Sequence, residues 1–132
     1  MLRGDMAKPL PTDAELEILR VLWRRGPSTV RDVHGELAAN GTGYTTALKQ
    51  LQVMFDKGLV KRDDSNRSHV YRPALPEEQT QRKILGSLIE RAFSGSSAQL
   101  AMRALSTKPA TAEELEQIRA LIDDMASRGG QK

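Results

Sequence analysis

At 132 residues, 39% hydrophobic and 28% charged, the chain has room for one ordinary domain with an appended segment, and its composition is globular rather than disordered. The absence of cysteine excludes disulfides, thiolate metal sites and cysteine nucleophiles; no apolar run is long enough for a signal peptide or a membrane span, so a cytoplasmic protein is expected. The net charge of +3 lies wholly in the first part: residues 1–75 hold twelve Lys and Arg against nine Asp and Glu, whereas residues 76–132 hold eight of each. A mild basic bias of this kind suits nucleic acid but does not specify it.

In chain order, Thr12 and Glu15 form a capping-box pair that starts a first helix. Leu16, Leu19, Val21, Leu22 and Trp23 give it an apolar face, and Gly26-Pro27 ends it. A second helix is predicted from Ser28-Thr29, packing Val30, Val33, Leu37 and Ala38 and ending at Asn40-Gly41-Thr42-Gly43. A third runs from Tyr44 to Lys57, with Gly58 as its stop. Beyond it the period falls to two: "LVKRDD" and "SHVYRP" read as short strands joined through Ser65-Asn66-Arg67. A fourth helix follows Pro76 with Ile84, Leu85, Leu88, Ile89, Ala92 and Phe93 as its stripe, and "SGSS" interrupts it. A fifth is predicted over 98–105 and a sixth over 112–125, the latter capped by Thr111 and Glu114. The fold class is therefore mainly α with a small β-hairpin: a flexible N-terminus over 1–10, a winged helix-turn-helix over 11–75, a helical region over 76–127 and a flexible tail over 128–132.

At 100° per residue the third helix separates Tyr44, Leu48, Leu51 and Phe55, flanked by Ala47 and Met54, from an opposite face of Thr46, Lys49, Gln50, Val53 and Lys57, with Thr45 at its edge and Asp56 near its boundary. Hydroxyls and free amides at a helix start suit a phosphate, Lys49 and Gln50 can hydrogen-bond base edges, and Val53 can touch a thymine methyl. A wet face of a core helix would look similar. Order decides: a helix-turn-helix followed by a basic hairpin is the winged-helix arrangement, with Lys61, Arg62, Arg67 and Arg72 available to the wing and Asp63 and Asp64 free to shape its turn.

The segments "LEILRVLWRRGPSTVRDVHGELA", "GYTTALKQL", "DKGLVKR" and "VYRP" closely resemble the BlaI/MecI penicillinase-repressor family. The likeness is strong over about residues 10–75 and weaker over the helical tail; Trp23, Gly26-Pro27, Val30-Arg31, Tyr44-Thr45-Thr46 and Gly58-Leu59-Val60 are specific as a set. The resemblance implies an amino-terminal winged helix, a carboxy-terminal dimerisation region, and repression by occupying a dyad operator with TACA/TGTA-like elements, in a beta-lactamase or cell-envelope response operon. It places Thr45, Thr46 and Lys49 at the DNA. Together, helix, wing and resemblance give an expected DNA-binding set of Arg31, Thr45, Thr46, Lys49, Gln50, Val53, Lys57 and Arg67. Relatives often carry Arg where this chain has Val53, and an apolar residue where it has Gln50, which leaves room for a different operator sequence. A membrane sensor protease is the partner implied by the signalling branch, which is cleaved near an Asn-Phe pair; the matching place here is Arg103-Ala104. The copper-responsive branch uses a cysteine cluster, which this chain lacks.

The neutral helical tail carries apolar stripes that need a cover, and a second copy is the simplest one. Ile84, Leu88, Leu115, Ile118, Ile122 and Met125 are the expected dimerisation residues, the last four spaced by three, four and three as in a coiled-coil seam. No catalytic or metal set emerges. His34 has no second ligand at i+3 or i+4, His69 lies in a wing strand, and Glu113, Glu114 and Glu116 suit a helix start electrostatically. No cofactor is expected and an enzyme is not. The retained alternative is a winged-helix module whose third helix contacts protein.

Overall fold

The computed structural model describes residues 10–129; the expected flexible N-terminus falls almost wholly on residues 1–9, outside the described residues, as do residues 130–132. Six α-helices and one two-stranded antiparallel sheet are present among the described residues. The chain forms two compact units, divided between Gly86 and Ser87, later than the boundary at residue 75 expected from the sequence. The reason is visible at the start of the fourth helix, where Thr80 is buried and lines a slot with Leu19, Leu59 and Leu75.

In the first unit, α1 (Asp13–Arg25) opens on the expected capping box: the Glu15 amide donates to Thr12 Oγ1 at 3.2 Å and the Thr12 amide to Glu15 Oε1 at 2.9 Å. Such a cap contributes about 1 kcal/mol. It ends at Gly26, whose φ of 94° is open to glycine and costly for other residues. α2 (Val30–Leu37) opens on a second box, between Thr29 and Asp32, and gives way to a 3₁₀ turn over Ala38–Asn40. That tighter turn swings Ala38 into solvent, contrary to its expected packing role. α3 (Tyr44–Lys57) has the predicted bounds and stops at Gly58 in the left-handed region.

Ile18, Leu19, Val21 and Leu22 of α1, Val30, Val33 and Leu37 of α2, and Ala47, Leu51 and Met54 of α3 bury one another, closed by Val60 and Tyr71. β1 (Val60–Asp63) pairs with β2 (Val70–Pro73) with Arg62 opposite Tyr71, so the connecting loop is the six residues Asp64–His69, longer than the tight turn predicted. The sheet gains a third edge that sequence reading missed. Ser28 and Tyr71 exchange both backbone hydrogen bonds, at 2.9 and 2.8 Å, which ties the loop between α1 and α2 to the hairpin. Trp23, partly buried and packed against the core, donates its indole N–H to Leu75 O at 3.0 Å and anchors the chain as it leaves β2.

Lys57 is the clearest departure from expectation. Its ammonium donates to Glu15 Oε2 at 2.7 Å, so the last turn of α3 is joined to the first turn of α1 and this charge is spent inside the fold. The Glu15 side chain is 6% exposed. Burial pushes its carboxyl up, yet the bonds from Lys57 and Thr12 outweigh that and hold it below the ordinary glutamate value. Because the folded pKa lies below the unfolded one, the stabilisation is complete above the ordinary glutamate pKa and disappears as pH falls through the folded value. Lys57→Met is therefore expected to lower stability by about 2 kcal/mol at neutral pH, less than for a fully buried pair because the lysine is partly solvated. Glu15→Gln is expected to flatten the loss of the urea midpoint as pH falls below the ordinary glutamate pKa; an unchanged acid limb would contradict this account of the pair.

In the second unit, α4 (Glu77–Ala92), which crosses the division, ends where Ser94 and Gly95 take φ of 51° and 84°. α5 (Ser97–Thr107) is capped by Ser96, whose Oγ accepts from the Gln99 amide at 3.0 Å. α6 (Ala112–Gly129) opens on the predicted Thr111–Glu114 box and continues through Arg128, which donates to Asp124 at 2.8 Å; the expected tail is helical up to Gly129. Among the described residues from Ser87 onward, none is buried.

Candidate nucleic-acid interface

Ala47, Leu51 and Met54, each fully buried, fix how α3 is rotated. At about 100° per residue their opposite face is centred on Lys49, with Thr45, Gln52, Val53 and Asp56 around it, all exposed. This turns the helix relative to the expected division. Gln50 withdraws to a half-buried flank on the same side as Lys57, and Asp56, two turns beyond Lys49, stands on the outer face rather than at its edge. The acid-free part of the surface is thus the first three turns. Tyr44, expected in the core, is half exposed and meets His34 of α2 edge-on, ring centroids 5.7 Å apart. Gly43 caps α3 without a side chain, which leaves its first-turn amides open to an anion beside Thr45 and Thr46.

Not every arginine of the helix-turn-helix is available. Arg24 binds Glu36 at 2.7 Å, and Arg25 binds Asp32 at 3.3 Å and Glu36 at 3.2 Å. The Thr29 amide, with the Arg25 and Arg31 charges adding to it, holds the Asp32 carboxyl below the ordinary aspartate range. Arg31, Lys49, Lys61 and Arg67 form no ion pair among the described residues and remain for an external anion.

The wing divides its charges. Arg62 lays its guanidinium over the Phe55 ring, 4.1 Å from the centroid, and donates to Asp64 at 2.8 Å, so it braces β1 against α3. Asp64 also meets the His69 ring; that bond first, then Arg62, keeps its carboxyl below the ordinary range. Asp63 accepts from the Ser65 amide at 2.9 Å. Both wing acids therefore shape the loop, as the sequence suggested they could. Lys61 and Arg72 face each other across the strands on the exposed side, a like-charge pair that an anion would relieve. Between α3 and the wing lies an open cleft lined by Arg31, Tyr44, Gln52, Arg62, Arg67 and His69. The structure thus brings Arg31 and Arg67 to one cleft and Thr45, Thr46, Lys49 and Val53 to the outer side of α3, and removes Lys57.

Residues 11–124 match the family described as penicillinase repressor. The chain belongs to that family. Penicillinase repressors are DNA-binding regulators and not enzymes, and the winged helix is where this member carries its basic cleft. A penicillinase repressor of Bacillus licheniformis is 22% identical over 121 residues, which cover 91% of this chain and 94% of the relative. A solution structure of the monomeric form of Bacillus licheniformis BlaI in complex with the blaP half-operator is 28% identical, with a TM-score of 0.48, covering 54% of this chain and 88% of that one. Among the described residues of this penicillinase-repressor chain no helix is long and apolar enough to cross a membrane, and no group of three His, Asp or Glu converges as a metal site would require.

Proposed function

We propose that this chain is a transcriptional repressor that occupies a dyad operator as a homodimer, α3 entering the major groove and the wing lying along the neighbouring backbone. The observation that carries the reading is the single surface on which the open first turn of α3, Thr45, Thr46, Lys49 and Val53 share one side of the helix, next to a cleft holding Arg31 and Arg67, which form no ion pair among the described residues. Repression would follow from excluding polymerase. The homodimer is supported by α4–α6: Leu88, Met102, Leu115, Ile122 and Met125 are all exposed in the single chain, which is unfavourable unless another apolar surface covers them. Ile84 and Ile118 are half-buried members of the same stripes. A beta-lactamase or cell-envelope operon is the target class that the family suggests, and a sensor protease is the partner its signalling branch suggests.

A mobility-shift titration of the protein with its own upstream DNA against scrambled DNA, at two salt concentrations, tests the reading. Preference for the upstream DNA with a steep loss at higher salt supports it; no shift with either DNA would favour the protein-interaction module instead. Arg67→Ala belongs in the same titration. It is expected to weaken both DNAs about equally and to lower the salt slope by about one per half-site, the signature of a phosphate contact. A change confined to the preferred DNA would mean that the wing reads sequence.

A further inference from the structure

We infer that Gln52, which no sequence motif singles out, is the side-chain amide that reads a base in each half-site, adjacent to the base pair reached by Lys49; this rests on the operator-binding reading above. The burial of Leu51 and Met54 on either side in sequence leaves Gln52 exposed, and it lines the cleft with Arg31 and Arg67, whereas Gln50 is half-buried and turned toward the Lys57 flank. Phe55, one turn further on, is covered by Arg62, whose guanidinium is held by Asp64. Gln52, about one turn before that brace, is exposed.

The spacing fits a duplex. Three residues of helix advance about 4.5 Å and turn about 300°, so Gln52 stands about 60° from Lys49 on the wing side. That advance is about 1.3 times the roughly 3.4 Å rise of one base pair, so two long side chains can reach neighbouring pairs. A glutamine presents an amide N–H donor beside a carbonyl acceptor, so it can donate to N7 and accept from the N6 amino group of adenine in the major groove. No acid on α3 lies between the two residues. Gln52 therefore selects adenine on the wing side of the position read by Lys49.

Selection of bound sites from a random duplex pool, with full-length wild type, Gln52→Ala, Gln52→Glu and Gln50→Ala, decides the matter. Wild type is expected to require A·T at one position of each half-site; Gln52→Ala should relax that position roughly tenfold while leaving the rest of the site recognisable. Gln52→Glu is expected to move the preference there from adenine toward cytosine, whose N4 amino group a carboxylate accepts, an outcome no loss of folding could produce. If wild type selects a defined site that Gln52→Ala selects unchanged, or if Gln50→Ala is the variant that relaxes the adenine position, the inference fails and the repressor reading survives. If wild type selects nothing, both fall together. Thermal midpoints of the variants, expected to lie near wild type because the side chain is exposed, separate misreading from unfolding.

Discussion

Lys49→Ala is expected to abolish most of the discrimination between operator and scrambled DNA while leaving the fold intact. Lys49 is exposed at the centre of the outer face of α3, opposite the buried Ala47, Leu51 and Met54, and forms no ion pair among the described residues. Among the described residues no acid pairs with its charge, so the thermal midpoint should move little. A good base contact discriminates by about 1–3 kcal/mol, and a dimer makes each contact twice, so the preferred site should lose roughly a hundredfold or more while scrambled DNA loses only the electrostatic share. Binding measured on both DNAs in the same buffer checks this. An equal loss on both would make Lys49 a phosphate contact and move base reading elsewhere on the helix.

Ile122→Asp, alone or with Leu121→Asp, is expected to yield a folded monomer that binds DNA far more weakly than wild type. Leu121 and Ile122 are each more than half exposed in the single chain, and with Leu115, Ile118 and Met125 they make a stripe about 120° wide along α6. The seam expected from the 115, 118, 122, 125 spacing is narrower than this; Leu121 broadens it from a two-stranded coiled-coil edge into a face suited to several helices. A carboxylate in its middle costs several kcal/mol of desolvation if the face is covered and almost nothing if it is not. Since the buried core of the first unit lies within residues 18–71, that domain should keep its own unfolding transition. Losing the second winged helix removes the effective concentration that tethering supplies, worth roughly 10²–10⁴ in apparent affinity. Sedimentation equilibrium and DNA titration on the same preparations test both halves of the expectation. A variant that sediments like wild type would show that α6 does not form the dimer surface.

Local chemistry made much of this molecule legible in advance. The Thr12–Glu15 and Thr111–Glu114 boxes, the glycine stops at Gly26 and Gly58, and the switch from period 3.6 to period 2 after Leu59 each act within a few residues, and each stands where the sequence placed it. So did the order of three helices and a hairpin, and with it the class of function. What eluded sequence reading was nonlocal. The α3 wheel could be divided only by residue type, and Tyr44, Phe55 and Leu48 pulled the expected core toward the wing; in the folded unit the expected Leu51 is buried together with its flanks Ala47 and Met54, while Leu48 and Phe55 are partly buried against that core. That rotation withdraws Gln50, exposes Gln52 and brings Asp56 outward.

By itself, then, the sequence determined the elements, their ends, the winged-helix order and the family, because capping, glycine conformation and hydrophobic period are properties of short segments. Only the tertiary structure decided which charges are free. Lys57 is spent on Glu15, forty-two residues away; Arg24 and Arg25 on the acids of α2; and Arg62 on Phe55 and Asp64. Arg31, Lys49, Lys61 and Arg67 form no ion pair among the described residues. A charge's availability depends on which opposite charge the chain brings within a few ångströms, and that distance exists only once distant segments have packed.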